Sequence, residues 1–397
     1  MLDLARLRGV VFLGGSGFAS AAVLLLLASF RVATLDRDAT ASLLLAIQWH
    51  LLGFTICKFG VDYAIFALLS QKPNSTVALW PLLKFPVLPL AVVFACASVF
   101  FFPAQLAPIF FFAVACDAIA SFRGAELNAK QQYGISAVGN LLNYPVMLAL
   151  LLLIATDHPL TIGEGLGCFA LSSVVRATWL CFQHNRISRG TQLRATTVEN
   201  VPLTGMQGIT NWALFRADQL ALLYIPLLAI TSFDETRLTQ YIFLTRIPEI
   251  GTGILVLFGT VYFPKYFLPN DDQQAERSTI LRLYLKLAGI VFTLGACVGL
   301  LALPLFNGPR IDFVTALPFL LQLPLILWAN LVTYSMQSQG RLAPLVTYAA
   351  LAGVAGLALI AVLIGTNCHK MLAWVVPLQL SIFILLGLRR PSNLHKN

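Results

Sequence analysis

The sequence predicts an all-α polytopic membrane protein of about twelve transmembrane helices, set as two pseudo-symmetric six-helix halves around a central cavity. Three observations predict it. Only 11% of the 397 residues are charged, 58% are hydrophobic, and the mean hydropathy is +0.81; a water-soluble domain carries about 25% charged residues. The apolar residues come in blocks of roughly twenty or more, the length that crosses ~30 Å of hydrocarbon. The longest polar connection, HNRISRGTQLRATTVEN at 184–200, falls at the midpoint of the chain.

Taken in order, the first six blocks are 9–30, 41–69, 79–102, 104–122, 134–155 and 161–182. The first follows Arg6 and Arg8 as a signal peptide would, yet it outruns the 7–15-residue apolar region of a leader and reads as a retained span. The third and fourth are separated only by Phe102-Pro103-Ala104. The second six are 202–230, 238–263, 281–305, 313–336, 343–365 and 370–388. The chain thus divides into an N-terminal half, 1–183, a linker, 184–200, and a C-terminal half, 201–397. ELNAKQQYGISAVGNLLNYPVMLALLLLI enters the fifth span much as SMQSQGRLAPLVTYAALAGVAGLALIAVLI enters the eleventh, each through a Gln-rich hinge. Six is even, so both halves share one orientation and are related by an axis along the membrane normal, as in some transporters.

Charge sets the orientation. Of the 26 basic residues, six lie within spans and five (Arg31, Arg37, Arg237, Arg310 and Lys370) on the side opposite the N-terminus, which leaves fifteen on the N-terminal side. Basic residues accumulate in cytoplasmic loops, so both termini are expected in the cytoplasm, with a bacterial inner membrane as the location. The same bias accounts for the net charge of +9 without a nucleic-acid partner.

The loops exclude several classes. Far-side connections such as RVATLDRDAT and NGPRID are too short to fold into a receptor domain or a catalytic loop. The five histidines fall mostly at span ends or in loops, with no HExxH, and the seven cysteines form no CxxC; no enzyme, metal or cofactor is expected. GGSGFAS at Gly14 lacks the preceding strand and the lysine of a phosphate-binding loop, and reads as close helix packing, as do Gly295 and Gly299.

The charges inside the spans carry the functional signal, because an intramembrane ionisable group marks a pathway or relay. Lys58 and Asp62 are four apart in the second span; Arg246 and Glu249 are three apart in the eighth, so each pair shares a helical face. Arg216 and Asp218 are two apart and face different surroundings. Lys84, Arg176 and Lys286 complete the bases, and Asp117 the acids. Each pair also reads as a salt bridge locking helices together. Taken as a set, bases outnumber acids, which invites an anionic guest, and Arg suits bidentate phosphate contact. Lys84, Lys286 and Arg176 also read as side chains snorkelling to an interface.

FRADQLALLYIPLLAITSFDETRLTQYIFLTRIPEIGTGILVLFGTVYFPKY at 215–266 resembles the start of the second half of bacterial oligosaccharide flippases, with Asp218, Tyr241 and Phe263-Pro264 at the matching positions. LPFLLQLPLILWANLVTYSMQSQGRLAPL at 317–345 is similar to their tenth span and the loop after it. These are the polysaccharide-transport branch of the multidrug/oligosaccharidyl-lipid/polysaccharide (MOP) exporter superfamily. The resemblance implies translocation of a polyprenyl-pyrophosphate-linked oligosaccharide for surface polysaccharide, such as O-antigen, capsule or exopolysaccharide. It implies no catalysis, and a polysaccharide polymerase and chain-length regulator as partners. Arg216, Arg246, Lys58 and Arg176 would meet the pyrophosphate headgroup; Asp62, Asp117, Asp218 and Glu249 would balance charge or couple transport to an ion. The alternative is a multidrug or small-metabolite exporter of the same superfamily, against which the basic surplus argues. A peptidoglycan-precursor flippase would need two more spans.

Overall fold

The computed structural model describes residues 37–58, 75–154, 161–190, 313–338, 342–366 and 368–388 as runs, with short pieces elsewhere that include 11–16, 61–62 and 285–290. Among these residues every regular element is helical. Helix α1 is Arg37–Lys58. Helix α2, Leu79–Leu82, passes through a π turn at Leu83–Val87 into α3, Leu88–Ser98. A 3₁₀ turn at Ala104–Leu106 leads into α4, Ala107–Ala129. Then come α5, Tyr133–Leu141, α6, Tyr144–Ile154, and α7, Ile162–Gly190. In the C-terminal group, α8 is Phe313–Ser338, α9 Leu342–Gly365, and a 3₁₀ turn at His369–Trp374 opens α10, Val375–Leu388.

Seven segments are long and apolar enough to cross a membrane: Leu79–Ser98, Ala104–Ala129, Tyr133–Leu153, Ile162–Ser188, Phe313–Thr333, Thr347–Gly365 and Met371–Leu388. They coincide with the expected third to sixth and tenth to twelfth spans, and α1 falls in the second. The first, seventh and eighth lie largely or wholly outside the described residues, and the ninth is described only in short pieces.

Local chemistry explains the boundaries. Pro103 and Pro108 break the chain between α3 and α4, where a missing N–H costs a helix start nothing. Pro145 has no N–H to give Leu141, so the fifth span is two helices, α5 and α6. TIGE opens α7 with a capping box: the Thr161 N–H donates to Glu164 Oε2 (2.8 Å) and the Glu164 N–H to Thr161 Oγ1 (3.2 Å). Helix α4 closes on a Schellman turn, with Gln132 N–H donating to the Leu127 carbonyl, Gln131 N–H to that of Asn128, and Gln131 at φ 59°.

Two helices overrun their hydropathic limits. The expected fourth span ends at 122 but α4 continues to Ala129, and the expected sixth ends at 182 but α7 continues to Gly190. Arg123, Arg186 and Arg189, read as loop residues, are therefore helical, and Lys130 caps α4 directly. Two of these charges, Arg123 and Lys130, pair with Glu126 along α4, and His184 of α7 faces the same carboxylate.

Helix α4 is the hub of the N-terminal group and packs on α1, α3 and α7. Leu106 meets Gly163, Asp117 meets Ser173, and Glu126 meets His184, so α4 and α7 run parallel and in constant register. Parallel course is what two helices separated by one further crossing must have. Gly53 admits the Phe94 ring and Gly165 admits Leu43, and a Cβ at either would collide. Among the described residues, a Cβ at Gly14 or Gly15 would meet nothing within 4 Å. Gly295 and Gly299 lie outside the described residues. In the C-terminal group α8 and α9 both pack on α10. One apolar cluster draws on both groups, from Leu43, Phe110 and Phe169 to Phe319, Val376 and Phe383.

Candidate functional site

Asp117 stands thirteen residues into the Ala104–Ala129 segment, roughly 20 Å from its start, and so near the middle of a ~30 Å hydrocarbon layer. It is 3% exposed. Its own helix supplies no base one turn away, since positions 113, 114, 120 and 121 are Ala, Val, Ala and Ser. Its partners come from other helices. The ring of His50 on α1 approaches Asp117 Oδ2 through Nε2 at 2.9 Å, Ser173 on α7 donates to the same oxygen at 3.1 Å, and Arg176 Nη1 donates to Oδ1 at 3.3 Å. Arg176 Nη2 also donates to Asn140 Oδ1 on α5 (3.1 Å), and Asn140 Nδ2 to Ser16 Oγ (3.4 Å). His50 is fully buried, wedged edge-on against Phe169 with centroids 4.5 Å apart, and its Nδ1 has no hydrogen-bond partner among the described residues. Three helices, α1, α4 and α7, thus meet at one carboxylate, and α5 joins them through Arg176.

A second ionic layer lies nine residues further along α4, about 13 Å toward its C-terminal end. Glu126, 1% exposed, accepts from Arg123 (2.6 Å) and Lys130 (3.2 Å) on its own helix and faces His184 of α7 at 2.8 Å. Arg123 also donates to the Val77 carbonyl at 3.3 Å, which holds the segment before α2. The third pair is the one expected from spacing: Lys58 Nζ and Asp62 Oδ2 are 2.8 Å apart, with Ser121 Oγ of α4 donating to the same oxygen at 3.0 Å. Lys58 also lies 4.8 Å above the Phe54 ring.

Of the expected site residues, Lys58, Asp62, Asp117 and Arg176 are described, and all four are ion-paired. Arg216, Asp218, Arg246 and Glu249 lie outside the described residues. Arg176, read also as a snorkelling side chain, turns inward to Asp117. Lys84 and Lys286 are exposed, in keeping with snorkelling. Three corrections follow. His50 and His184 are helical and buried rather than at span ends or in loops. The Glu126 layer was hidden by the loop reading of Arg123 and Lys130. Among the described bases that turn inward, Lys58, Arg123, Lys130 and Arg176 each have an acidic partner, so none of these four is spare. The sequence did hold a clue to His50: a mid-span Asp with no base on its own helix needs one from a neighbour, and WHLL and VVRAT offered the nearest mid-span bases. No metal-holding group of His, Cys, Asp and Glu occurs among the described residues.

No protein-family model matches the chain, and no curated protein matches it in sequence. Solved structures match its fold over nearly its whole length. An outward-facing multidrug resistance MATE family transporter of the MOP superfamily aligns with TM-score 0.63 and 13% identity, over 96% of this chain and 94% of that one. A eukaryotic MATE transporter aligns with TM-score 0.64 and 13% identity, over 97% and 95%. A MOP superfamily transporter from Pyrococcus furiosus, reported with a binding pocket of reverse polarity, aligns with TM-score 0.65 and 12% identity, over 96% and 93%. The fold is therefore one that this chain shares with solved MOP-superfamily transporters, all-helical and multi-pass.

Proposed function

We propose that this protein is a plasma-membrane transporter that exports an amphipathic solute by alternating access of two six-helix halves, residues 1–183 and 201–397, with both termini cytoplasmic. One observation carries the reading: Asp117 is held mid-membrane by His50, Ser173 and Arg176 inside a fold shared over nearly the whole chain with multidrug resistance transporters. An ion pair kept only for stability is easily replaced there by apolar packing. One that bridges α1, α4 and α7 is also a switch, because adding a proton to the His50–Asp117 pair changes the net charge that holds three helices together. A change of that kind biases an equilibrium between two packings, which is what coupling requires.

The solute reading departs from the sequence expectation for a stated reason. The case for an anionic headgroup rested on a surplus of buried base, and the four described bases that turn inward, Lys58, Arg123, Lys130 and Arg176, are engaged by Asp62, Asp117 and Glu126. A second reading, flipping of a polyprenyl-pyrophosphate oligosaccharide, is favoured by the resemblance at 215–266 and 317–345 and depends on Arg216 and Arg246 as headgroup contacts. In energised inverted vesicles, the first reading expects pH-gradient-driven transport of a lipophilic dye such as ethidium, abolished by Asp117→Asn at an unchanged protein level. No dye movement, together with loss of surface polysaccharide and build-up of lipid-linked repeat units on gene deletion, would transfer the conclusion to the second reading. Neither phenotype would sink both.

A further inference from the structure

The three described helices of the C-terminal group contain no charged residue at all: FVTALPFLLQLPLILWANLVTYSMQS, LAPLVTYAALAGVAGLALIAVLIG and VVPLQLSIFILLGL. Their buried polarity is amide. Gln322 on α8 is fully buried, and neither its Oε1 nor its Nε2 has a hydrogen-bond partner among the described residues. Gln379 on α10, 3% exposed, has an unpartnered Oε1, and Asn330 on α8, 7% exposed, an unpartnered Nδ2.

The level of Gln379 lies between those of the other two. Helices α8 and α10 are separated by one crossing, so they run parallel, and Gly387 packs against Val332 and Met336. That register puts Gln379 opposite the turn between residues 324 and 328, between the levels of Gln322 and Asn330, which are about 12 Å apart along the axis. Gln322 and Gln379 both fall at the middle of their spans, Phe313–Thr333 and Met371–Leu388. The fold makes room for the second amide, because a Cβ at Gly356 on α9 would sit 2.9 Å from Gln379 Oε1.

Leaving a buried amide unpaired is costly, and here several amide atoms have no partner among the described residues at the depth where water is scarcest. The chemistry of the set defines what would satisfy it. Donors (Gln322 Nε2, Asn330 Nδ2) and acceptors (the two glutamine Oε1 atoms) are balanced and uncharged. A cation lacks the acceptor charge it needs, and an anion the donor charge. A hydroxyl both donates and accepts. We infer that Gln322, Gln379 and Asn330 form a neutral subsite for the hydroxyl groups of the transported molecule, complementary to the charged centre at Asp117. The inference rests on the transporter reading and narrows its substrate to a polyhydroxylated one, either a free solute or the sugar of a lipid-linked glycan.

The test is a thermal-shift titration of the purified full-length chain in the zwitterionic detergent lauryldimethylamine oxide. The probes are decyl maltoside, decyltrimethylammonium and decyl phosphate, which share one tail, and free maltose. The maltose headgroup should raise the Tm saturably where the charged headgroups do not. A response to free maltose points to a soluble solute and a response to decyl maltoside alone to a lipid-linked sugar; either supports the subsite. Gln322→Leu and Gln379→Leu should weaken the apparent affinity about three- to tenfold each, the loss of one neutral hydrogen bond. Both should also raise the ligand-free Tm, because the unpaired amide is gone. Gly356→Ala, which leaves both glutamines in place, should weaken the same probe. Equal shifts for all headgroups, or a maltoside shift indifferent to all three substitutions, would overturn the subsite. The transporter reading would stand or fall separately, on dye transport and the surface-polysaccharide phenotype.

Discussion

At Asp117 the local question is what a carboxylate gains by being buried 3% exposed at mid-membrane. Its three side-chain partners supply what water would, and the arrangement is unforgiving to single truncations. Asp117→Leu leaves Arg176 with its charge inside the bundle and should destabilise the chain by about 3–5 kcal/mol. Arg176→Met leaves the carboxylate facing only His50 and Ser173 and should cost a similar amount. The double variant Asp117→Leu with Arg176→Met removes both charges and should recover most of the loss, since matched apolar groups replace a buried pair at little cost. Thermal unfolding of the four proteins in detergent gives the cycle. Near-additive losses would mean that the two residues do not interact. Transport should remain absent in the double variant even where stability returns, which separates the ionic centre's role in coupling from its role in packing.

Among the elements, the ends of the helices show what pattern reading reaches and where it stops. Prolines and the TIGE capping box were printed in the sequence, and the break at Phe102-Pro103-Ala104 lies where hydropathy placed it. The overrun of α4 and α7 was not legible, because Arg123, Glu126, Lys130 and His184 look like loop residues singly and like an interior only once the two helices are side by side. The same holds for His50, whose partner is 67 residues away. The Schellman turn after α4 gives the prediction that belongs here. Gln131 holds φ 59°, a conformation costing a side-chain-bearing residue roughly 1–2 kcal/mol that glycine avoids. Gln131→Gly should therefore raise stability by about 1 kcal/mol, and Gln131→Val should lower it by more, since a branched Cβ fits that region worst. At the start of α7, Glu164→Ala should lose about 1 kcal/mol with the capping box. Urea or thermal midpoints check all three.

For the whole molecule, composition was enough to give the fold class, because a chain 58% hydrophobic with apolar blocks of span length has few architectures open to it. Which ionic groups meet was beyond it, since three-dimensional register between spans is set by small residues such as Gly53 and Gly165 that carry no chemical label. Orientation sits between these limits and can be decided directly. In the orientation we propose, with both termini cytoplasmic, the parallel course of α4 and α7 sends their C-terminal ends, with the Glu126 layer, to the cytoplasmic face. Cys368, exposed in the turn between α9 and α10, belongs on the opposite face. A variant retaining Cys368 alone should react with a membrane-impermeant maleimide on intact cells. A cysteine-free variant carrying Ser188→Cys, at the end of α7, should react only after permeabilisation. The reverse pattern would invert the whole molecule and put the Glu126 layer outside. Labelling of both from one side would break the parity of crossings between α7 and α10, and with it the arrangement of spans on which alternating access depends.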